Sequence, residues 1–313
     1  MQMYQVSDQT GRRFVVTGAN SGTGKEATRR IAAAGGHVVM GVRSEDKGHA
    51  AADEIRRDVP SASLEVRRID LADLASVRAF ADGILSDGHQ VDVLINNAGV
   101  MAVPKRMLTA DGFELQFGSN FLGPFALTNL LLPHLLSAAS PRVTTMASGA
   151  ANFGRINFSD LQFTQSYGPA KVYAQSKLAD LLLGVHLARV ADEREWNLLS
   201  TIAHPGYTRT NLQTTGPNLG RTTKRFNPLM DLPILPSQDV VPGTEPLLFA
   251  ATDPDARQGA YYGPASIGGL VGPTKKVDLP RSARGVDLAS SLWAVAENLT
   301  GTTLPAGVAT PSR

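Results

Sequence analysis

The run Arg13-Phe14-Val15-Val16-Thr17-Gly18-Ala19-Asn20-Ser21-Gly22-Thr23-Gly24-Lys25 decides the fold. It opens with an apolar stretch, Phe14 to Val16, the pattern of a strand buried on both faces. Glycines follow at 18, 22 and 24. A helical pattern then runs from Lys25 to Ala34, with Ala27, Ile31 and Ala34 on one face, and Gly35-Gly36 ends it. Strand, glycine loop and helix together make a phosphate site. Glycine admits positive φ and lets the backbone approach a ligand, and the unpaired N–H groups of a helix start point at an anion.

The strands and helices that follow alternate. His37–Val42 and Leu64–Ile69 read as buried strands, as does Val91–Ile95; helices are expected over Ser44–Asp58 and Asp73–Leu85. This β-α-β-α-β-α-β order implies a parallel sheet with right-handed crossovers and a ligand at the carboxyl ends of the strands. A long helix is expected over Gly112–Leu136, with Pro124 and Pro133 as kink points. Arg142–Ala147 is a fifth strand with Ser148 at its end, and Leu198–Ala203 a sixth. Val240–Ala251 reads as a helix, Ala260–Gly263 as the last strand and Asp287–Leu299 as the closing helix.

Composition narrows the classes. The chain has 313 residues, 42% hydrophobic and 19% charged, enough for one sizeable α/β domain. A net charge of +2 with no basic block does not indicate nucleic acid. The lack of cysteine excludes disulfides, thiolate metal sites and cysteine nucleophiles. With no clustered His or Cys ligand set, no metal is expected. Met1–Arg12 is polar, and the apolar stretch Leu178–Val190 carries Asp180, His186 and Arg189. We therefore expect a soluble, cytoplasmic protein without a membrane span.

The spacing Thr17-Gly18-x-x-x-Gly22-x-Gly24 departs from the GxGxxG of the usual dinucleotide fingerprint. It resembles the short-chain dehydrogenase/reductase family, and not the extended branch of it. The resemblance implies a Rossmann-type doubly wound parallel sheet of about seven strands with helices on both faces. It implies a single α/β domain over residues 1–300, a substrate-loop lobe at about 211–238 and a flexible tail at 301–313. Gly18, Asn20, Ser21, Gly22, Thr23 and Gly24 are then cofactor-binding residues.

Other segments extend the resemblance to about residues 11–265. Asn96-Asn97-Ala98-Gly99 is similar to a family signature whose amides tie neighbouring strands together. Its Ala98-Gly99 lets the cofactor lie against the backbone. In a dinucleotide fold an acid at the end of the second strand selects NAD. Here Val42 takes that place and Arg43 follows, and a guanidinium can bind a 2′-phosphate through two N–H bonds. The expected cofactor is NADP(H) in preference to NAD(H). At Asp70-Leu71 the family places an aspartate against adenine; Asp70 could equally cap the next helix.

The catalytic expectations rest on four residues. Asn120, with Gly123 three residues on, resembles the family asparagine that holds a relay water. Ser148 stands at a strand end where substrate belongs. Tyr173-Ala174-Gln175-Ser176-Lys177 puts a phenol and an ammonium at i and i+4, on one helix face. A full charge ~4 Å away, at an effective dielectric of ~20, is worth roughly 4 kcal/mol and favours the phenolate. Pro205, Gly206, Thr208 and Thr210 match the family turn that holds the nicotinamide carboxamide. His204 beside them reads as a structural loop histidine rather than a base.

The residues between Ser148 and Tyr173, around Asn152–Leu161, resemble the retinol dehydrogenase and protochlorophyllide reductase branch. Inserts here can remove the helix pairing of the usual tetramer, so monomer and homo-oligomer both stay open. Residues 211–238 mix Pro, Gly, Thr and Asn with Phe226, Leu229, Met230, Leu232, Ile234 and Leu235. They read as a lid for a hydrophobic substrate or as a disordered excursion. The implied activity is an NADPH-dependent oxidoreductase acting on a hydrophobic ketone, aldehyde or secondary alcohol, with Tyr173 as general acid/base. The alternatives are reduction of a conjugated C=C bond and a non-catalytic NADPH-binding sensor.

Overall fold

The structure, a computed structural model, describes residues 3–209 and 236–305. Six strands fall where the sequence places them: β1 (Arg13–Thr17), β2 (His37–Val42), β3 (Ser63–Arg68), β4 (Val93–Asn96), β5 (Arg142–Met146) and β6 (Leu199–Ala203). With β7 (Tyr261–Pro264) and β8 (Thr274–Val277) they form one sheet in the order β3-β2-β1-β4-β5-β6-β7-β8. β1 to β7 run parallel, and β8 pairs antiparallel with β7.

The sheet therefore has eight strands, not about seven, and Ala260–Gly263 does not mark the last. Thr274-Lys275-Lys276-Val277 lacks the apolar run that announces a buried strand. Its two lysines are exposed on the sheet edge, where charge blocks pairing with another chain.

Chain order explains where a ligand belongs. The first three strands build outward from β1, and β4 then returns to β1's other side. The carboxyl ends of β1 and β4 thus diverge at a topological switch point, the place where open α/β sheets hold ligands.

Side chains alternate across the sheet. Phe14, Val16, Val38, Met40, Val93 and Ile95 pack against α1 (Gly22–Ala33), α2 (Glu45–Asp58) and a later helix, Val240–Thr252. Val15, Val39, Leu94 and Val143 face α3 (Leu74–Ser86) and the helices after it.

The stretch expected as one helix over residues 112–136 is three pieces. α4 (Leu115–Phe117) is a single turn, Gly118–Leu122 is a π turn, and α5 (Gly123–Leu135) follows. Pro124 lies in the first turn of α5, where its missing N–H costs nothing. Phe117, Phe121 and Phe125 continue as a ladder of rings to Trp293, with centroids 5.3, 5.9 and 4.7 Å apart. The ladder ties the π turn to the closing helix. Such π turns recur at functional sites, and this one carries Asn120.

α6 (Pro169–Glu193) crosses the same face, α7 (Val240–Thr252) covers the other, and α8 (Val286–Thr300) closes the chain. Gly301, at φ 63°, ends α8 in the left-handed conformation. The start of the expected loose tail is held: Thr302 is buried, and Arg194 Nη1 donates to the Pro305 carbonyl at 2.9 Å. Residues 306–313 lie outside the described residues.

Candidate active site

The glycine loop joins β1 to α1. Gly18 (φ 67°) and Gly22 (φ 54°) are left-handed, which side chains rarely allow. A Cβ on Gly24 would lie 2.4 Å from the Gly18 carbonyl oxygen and 2.5 Å from Asn97 Nδ2. Only glycine lets the first turn of α1 press onto the loop. Ser21, the N-cap, gives α1 no side-chain cap, and no acid sits in its first turn. The start of α1 is thus a set of amide donors with no carboxylate to repel an anion. Asn20 is half-buried and Ser21 exposed in the loop.

Asn97 acts as the buttress. Its Nδ2 donates to the Thr17 carbonyl at 2.9 Å, and its Oδ1 accepts from Thr23 Oγ1 at 2.8 Å. Thr17 Oγ1 accepts the amides of Asn97 at 3.0 Å and Ala98 at 3.1 Å. The expected tie between strand ends is therefore present, and it runs from β4 to β1 and into α1.

Arg43 is exposed just past β2 and forms no ion pair among the described residues. Asp70 does not cap the next helix. Its Oδ1 accepts the Ala72 amide at 3.0 Å, a local turn, while Asp73 caps α3 through the amides of Ala75 and Ser76. The capping alternative thus belongs to Asp73. Leu71 is buried against Gly123, where a Cβ would be 2.4 Å from the Leu71 carbonyl oxygen.

The four catalytic candidates come from three places, the π turn, the end of β5 and α6, and lie near the ends of β4 and β5. Asn120 in the π turn brackets Val100: Oδ1 accepts its amide at 2.7 Å and Nδ2 donates to its carbonyl at 2.9 Å. Nδ2 also donates to Ser176 Oγ at 2.9 Å. A Cβ on Gly99 would stand 3.2 Å from Asn120 Oδ1 and 3.4 Å from Lys177 Nζ. Gly99, Asn120 and Lys177 therefore surround one small space. Ser148 Oγ accepts the Ala150 amide at 3.2 Å, which leaves its O–H to donate elsewhere.

Tyr173 and Lys177 lie on α6, buried at 9% and 3% exposure. Lys177 Nζ donates to the Met146 carbonyl at 3.0 Å and to Asp180 Oδ2 at 2.8 Å. Burial works to discharge the ammonium, but the attraction of Asp180 and Tyr173 outweighs it and raises its pKa. For Asp180, burial dominates and pushes the carboxyl up to about 6, against the lowering pull of Lys177.

Two neighbours were not singled out from sequence. Asp180 looks like one charge in an apolar helix; its i,i+3 spacing from Lys177 was the available signal. Tyr261 of β7 donates from Oη to the Ser148 carbonyl at 3.3 Å, and burial, then the nearby Tyr173, raise its pKa strongly. No local motif marks it.

After β6, Gly206 adopts φ 62°, and a Cβ there would lie 2.3 Å from the Leu270 carbonyl oxygen. The Pro205 carbonyl accepts from Gln238 Nε2 at 2.9 Å and from Thr208 Oγ1 at 2.5 Å. The turn is thereby pinned. Thr210 and residues 211–235 of the expected substrate loop lie outside the described residues. His204 is buried, its Nδ1 accepts the Gly206 amide at 3.3 Å, and its ring lies 5.0 Å from that of Tyr261. Burial pushes its pKa down to about 4, which keeps it neutral and shapes the loop. Among the described residues, no group of three or more His, Cys, Asp or Glu could hold a metal ion, and no helix is long and apolar enough to cross a membrane.

Residues 12–217 match the short chain dehydrogenase family model, and the chain belongs to that family. It is an NAD(P)-dependent oxidoreductase of the class that acts on CH–OH groups. Within the family it lies near the retinol dehydrogenase branch. It is 36% identical to human retinol dehydrogenase 14 over 93% of this chain and 87% of that protein. A crystal structure of an uncharacterized protein from Mycobacterium paratuberculosis matches with 39% identity and a TM-score of 0.80, over 97% of this chain and 100% of that one. A short chain dehydrogenase from Burkholderia cenocepacia, solved in complex with NADP, shares the fold at 21% identity and a TM-score of 0.59, covering 78% of this chain and 91% of that one.

Proposed function

We propose that this chain is an NADPH-dependent oxidoreductase that interconverts carbonyl and alcohol on a hydrophobic ketone, aldehyde or secondary alcohol, with Tyr173 as general acid/base. The observation that carries the reading is the convergence of Lys177, Asn120 and Gly99 at the switch point, on the helix face that bears Tyr173.

The residues present fit the cofactor. A Cβ at Gly18 or Gly24 would crowd Ala98, Asn97 or the loop's own backbone, so these glycines let the loop, the start of α1 and the end of β4 pack together and leave the amides of the helix start without a side-chain cap. The start of α1 would hold the pyrophosphate and Arg43 the 2′-phosphate. Asp70 and Leu71 would hold the adenine, Lys177 the ribose, and Pro205, Gly206 and Thr208 the carboxamide. When bound, the nicotinamide supplies or accepts the hydride.

The chain's own residues handle the oxygen and its proton. Ser148 Oγ–H donates to the carbonyl oxygen and favours the charge that develops there. Tyr173 Oη–H gives its proton to the forming alkoxide, or takes one in the reverse direction. Both amide hydrogens of Asn120 are taken. Asn120 can therefore serve a relay water only as an acceptor, through Oδ1 or its main-chain carbonyl.

A hydrophobic substrate is supported by the segment after Ser148, which exposes Phe153 at 85% and Phe158 at 44%. The test is NADPH oxidation across a panel of hydrophobic ketones and aldehydes, with small polar carbonyls as controls. Turnover confined to the hydrophobic members is expected. No NADPH consumption above background across the panel contradicts the reading.

A further inference from the structure

Three side chains grip the main chain just past Gly99. Asn120 brackets Val100 through its amide and its carbonyl. Gln116 Oε1 accepts the Ala102 amide at 2.8 Å. Tyr167 Oη donates to the Val103 carbonyl at 2.8 Å and accepts from Gln116 Nε2 at 3.1 Å. Gln116 Nε2 also donates to the Pro169 carbonyl at 3.3 Å, in the first turn of α6. Gln116 is fully buried, and both ends of its amide tie residues 102–103 to the start of α6. Between these holds Ala102 sits at φ 53°. That left-handed conformation is unfavourable for an L side chain and persists where its surroundings impose it.

The partners place the segment beside the phenol. A Cβ on Gly99 would stand 3.4 Å from Lys177 Nζ. Val100 is linked through Asn120 to Ser176, and Ala102 through Gln116 to Pro169. The segment therefore runs against the direction of α6, along the helix face that carries Pro169, Tyr173 and Lys177 at i,i+4 spacing. The turn bearing Tyr173 lies between the two anchor points. Val100-Met101-Ala102-Val103-Pro104 is apolar throughout, and Val100, Met101 and Ala102 are half-buried. With its main-chain groups bonded by side chains, such a run offers apolar surface without leaving those polar groups dry.

We infer that residues 100–103 form the wall that recognises the apolar part of the substrate, and that Gln116 is the positioning residue that presets it. The inference deepens the proposed function and rests on it for the place of the carbonyl at Tyr173. The wall touches the substrate away from the reacting carbon. It therefore holds ground state and transition state alike, and acts on KM rather than kcat.

The experiment compares benzylacetone with methyl ethyl ketone, the same ketone without the phenyl ring, at saturating NADPH. Gln116→Met keeps the length and removes the bonds. It should raise KM for benzylacetone about tenfold, with kcat and the NADPH dissociation constant within about twofold. The kcat/KM for methyl ethyl ketone, too short to reach the wall, should change by less than about twofold. Tyr167→Phe removes one hydroxyl, should act in the same direction, and serves if Gln116→Met does not fold. Adding Ala102→Gly to either variant should recover about threefold in KM, because glycine holds φ near 53° unaided. A general loosening of the core would be deepened by that glycine. Hydrogen exchange of amides 100–103, read without substrate, should be about tenfold faster in the variants. Unchanged exchange, equal losses for both ketones, or no recovery with glycine overturns the inference. If neither ketone turns over, the proposed function fails, and the calorimetric dissociation constant of benzylacetone on the NADPH-loaded protein replaces KM. A tenfold loss there still supports the wall; no binding, or no loss, overturns it.

Discussion

Arg43 is exposed at the end of β2 and has no carboxylate to satisfy it among the described residues. A guanidinium so placed gains from a phosphate without first breaking a bond. Hydrogen bonds to charged groups contribute roughly 1.5–3 kcal/mol. Arg43→Ala should therefore raise the NADPH dissociation constant about 10- to 100-fold and leave that for NADH nearly unchanged. Calorimetric titration with both cofactors checks this, and equal losses for the two contradict the assignment. Gly24 and Asp180 show how unevenly single residues declare themselves. The glycine belongs to a contiguous motif, so its place against Gly18 and Asn97 is readable beforehand. Asp180 draws its meaning from a bond to Lys177 in a helix whose neighbours are apolar, and a lone charge in such a run reads first as a mark against a membrane span.

At the scale of elements, a charged cluster pins β1, β3 and α3 together at the end of the sheet away from the site. Arg13 Nη2 pairs with Glu65 at 3.1 Å and Asp87 at 2.9 Å, and Arg67 pairs with the same two carboxylates. Burial pushes the Asp87 and Glu65 carboxyls up, but the arginines outweigh it and hold both below their usual range. Groups depressed in this way stabilise the fold above their unfolded pKa values, and that contribution disappears as pH falls through the folded ones. Asp87→Asn should thus lower the melting temperature by a few degrees at neutral pH, and the gap should close in acid, as the pH falls through the carboxyl's lowered range. A gap that stays constant or widens in acid contradicts the cluster's role. Other elements were hidden for physical reasons. β8 presents lysines at an edge rather than an apolar run. The π turn has the same apolar residues as a helix, so no periodicity separates Gly118–Leu122 from α5.

Across the molecule, the candidate site is assembled from residues far apart in the chain, and each piece was legible where it formed a local pattern. Thr17–Gly24, Asn96–Gly99 and Tyr173–Lys177 are short runs whose chemistry depends on spacing alone. The sheet order brings the first two together at the β1–β4 switch point. α6 then lays the third across the same end, with Lys177 bonded to the Met146 carbonyl of β5. The contribution of Tyr261 required the completed sheet, because β7 joins β6 only after a long excursion of the chain. Under the proposed function, this assembly separates holding the cofactor from moving a proton, with Tyr173 responsible for the second. The most direct test is Tyr173→Phe, assayed in one preparation for NADPH binding and for NADPH oxidation with the best hydrophobic ketone. We expect binding unchanged and kcat lower by about 10²- to 10⁴-fold; a variant that keeps its kcat contradicts the account.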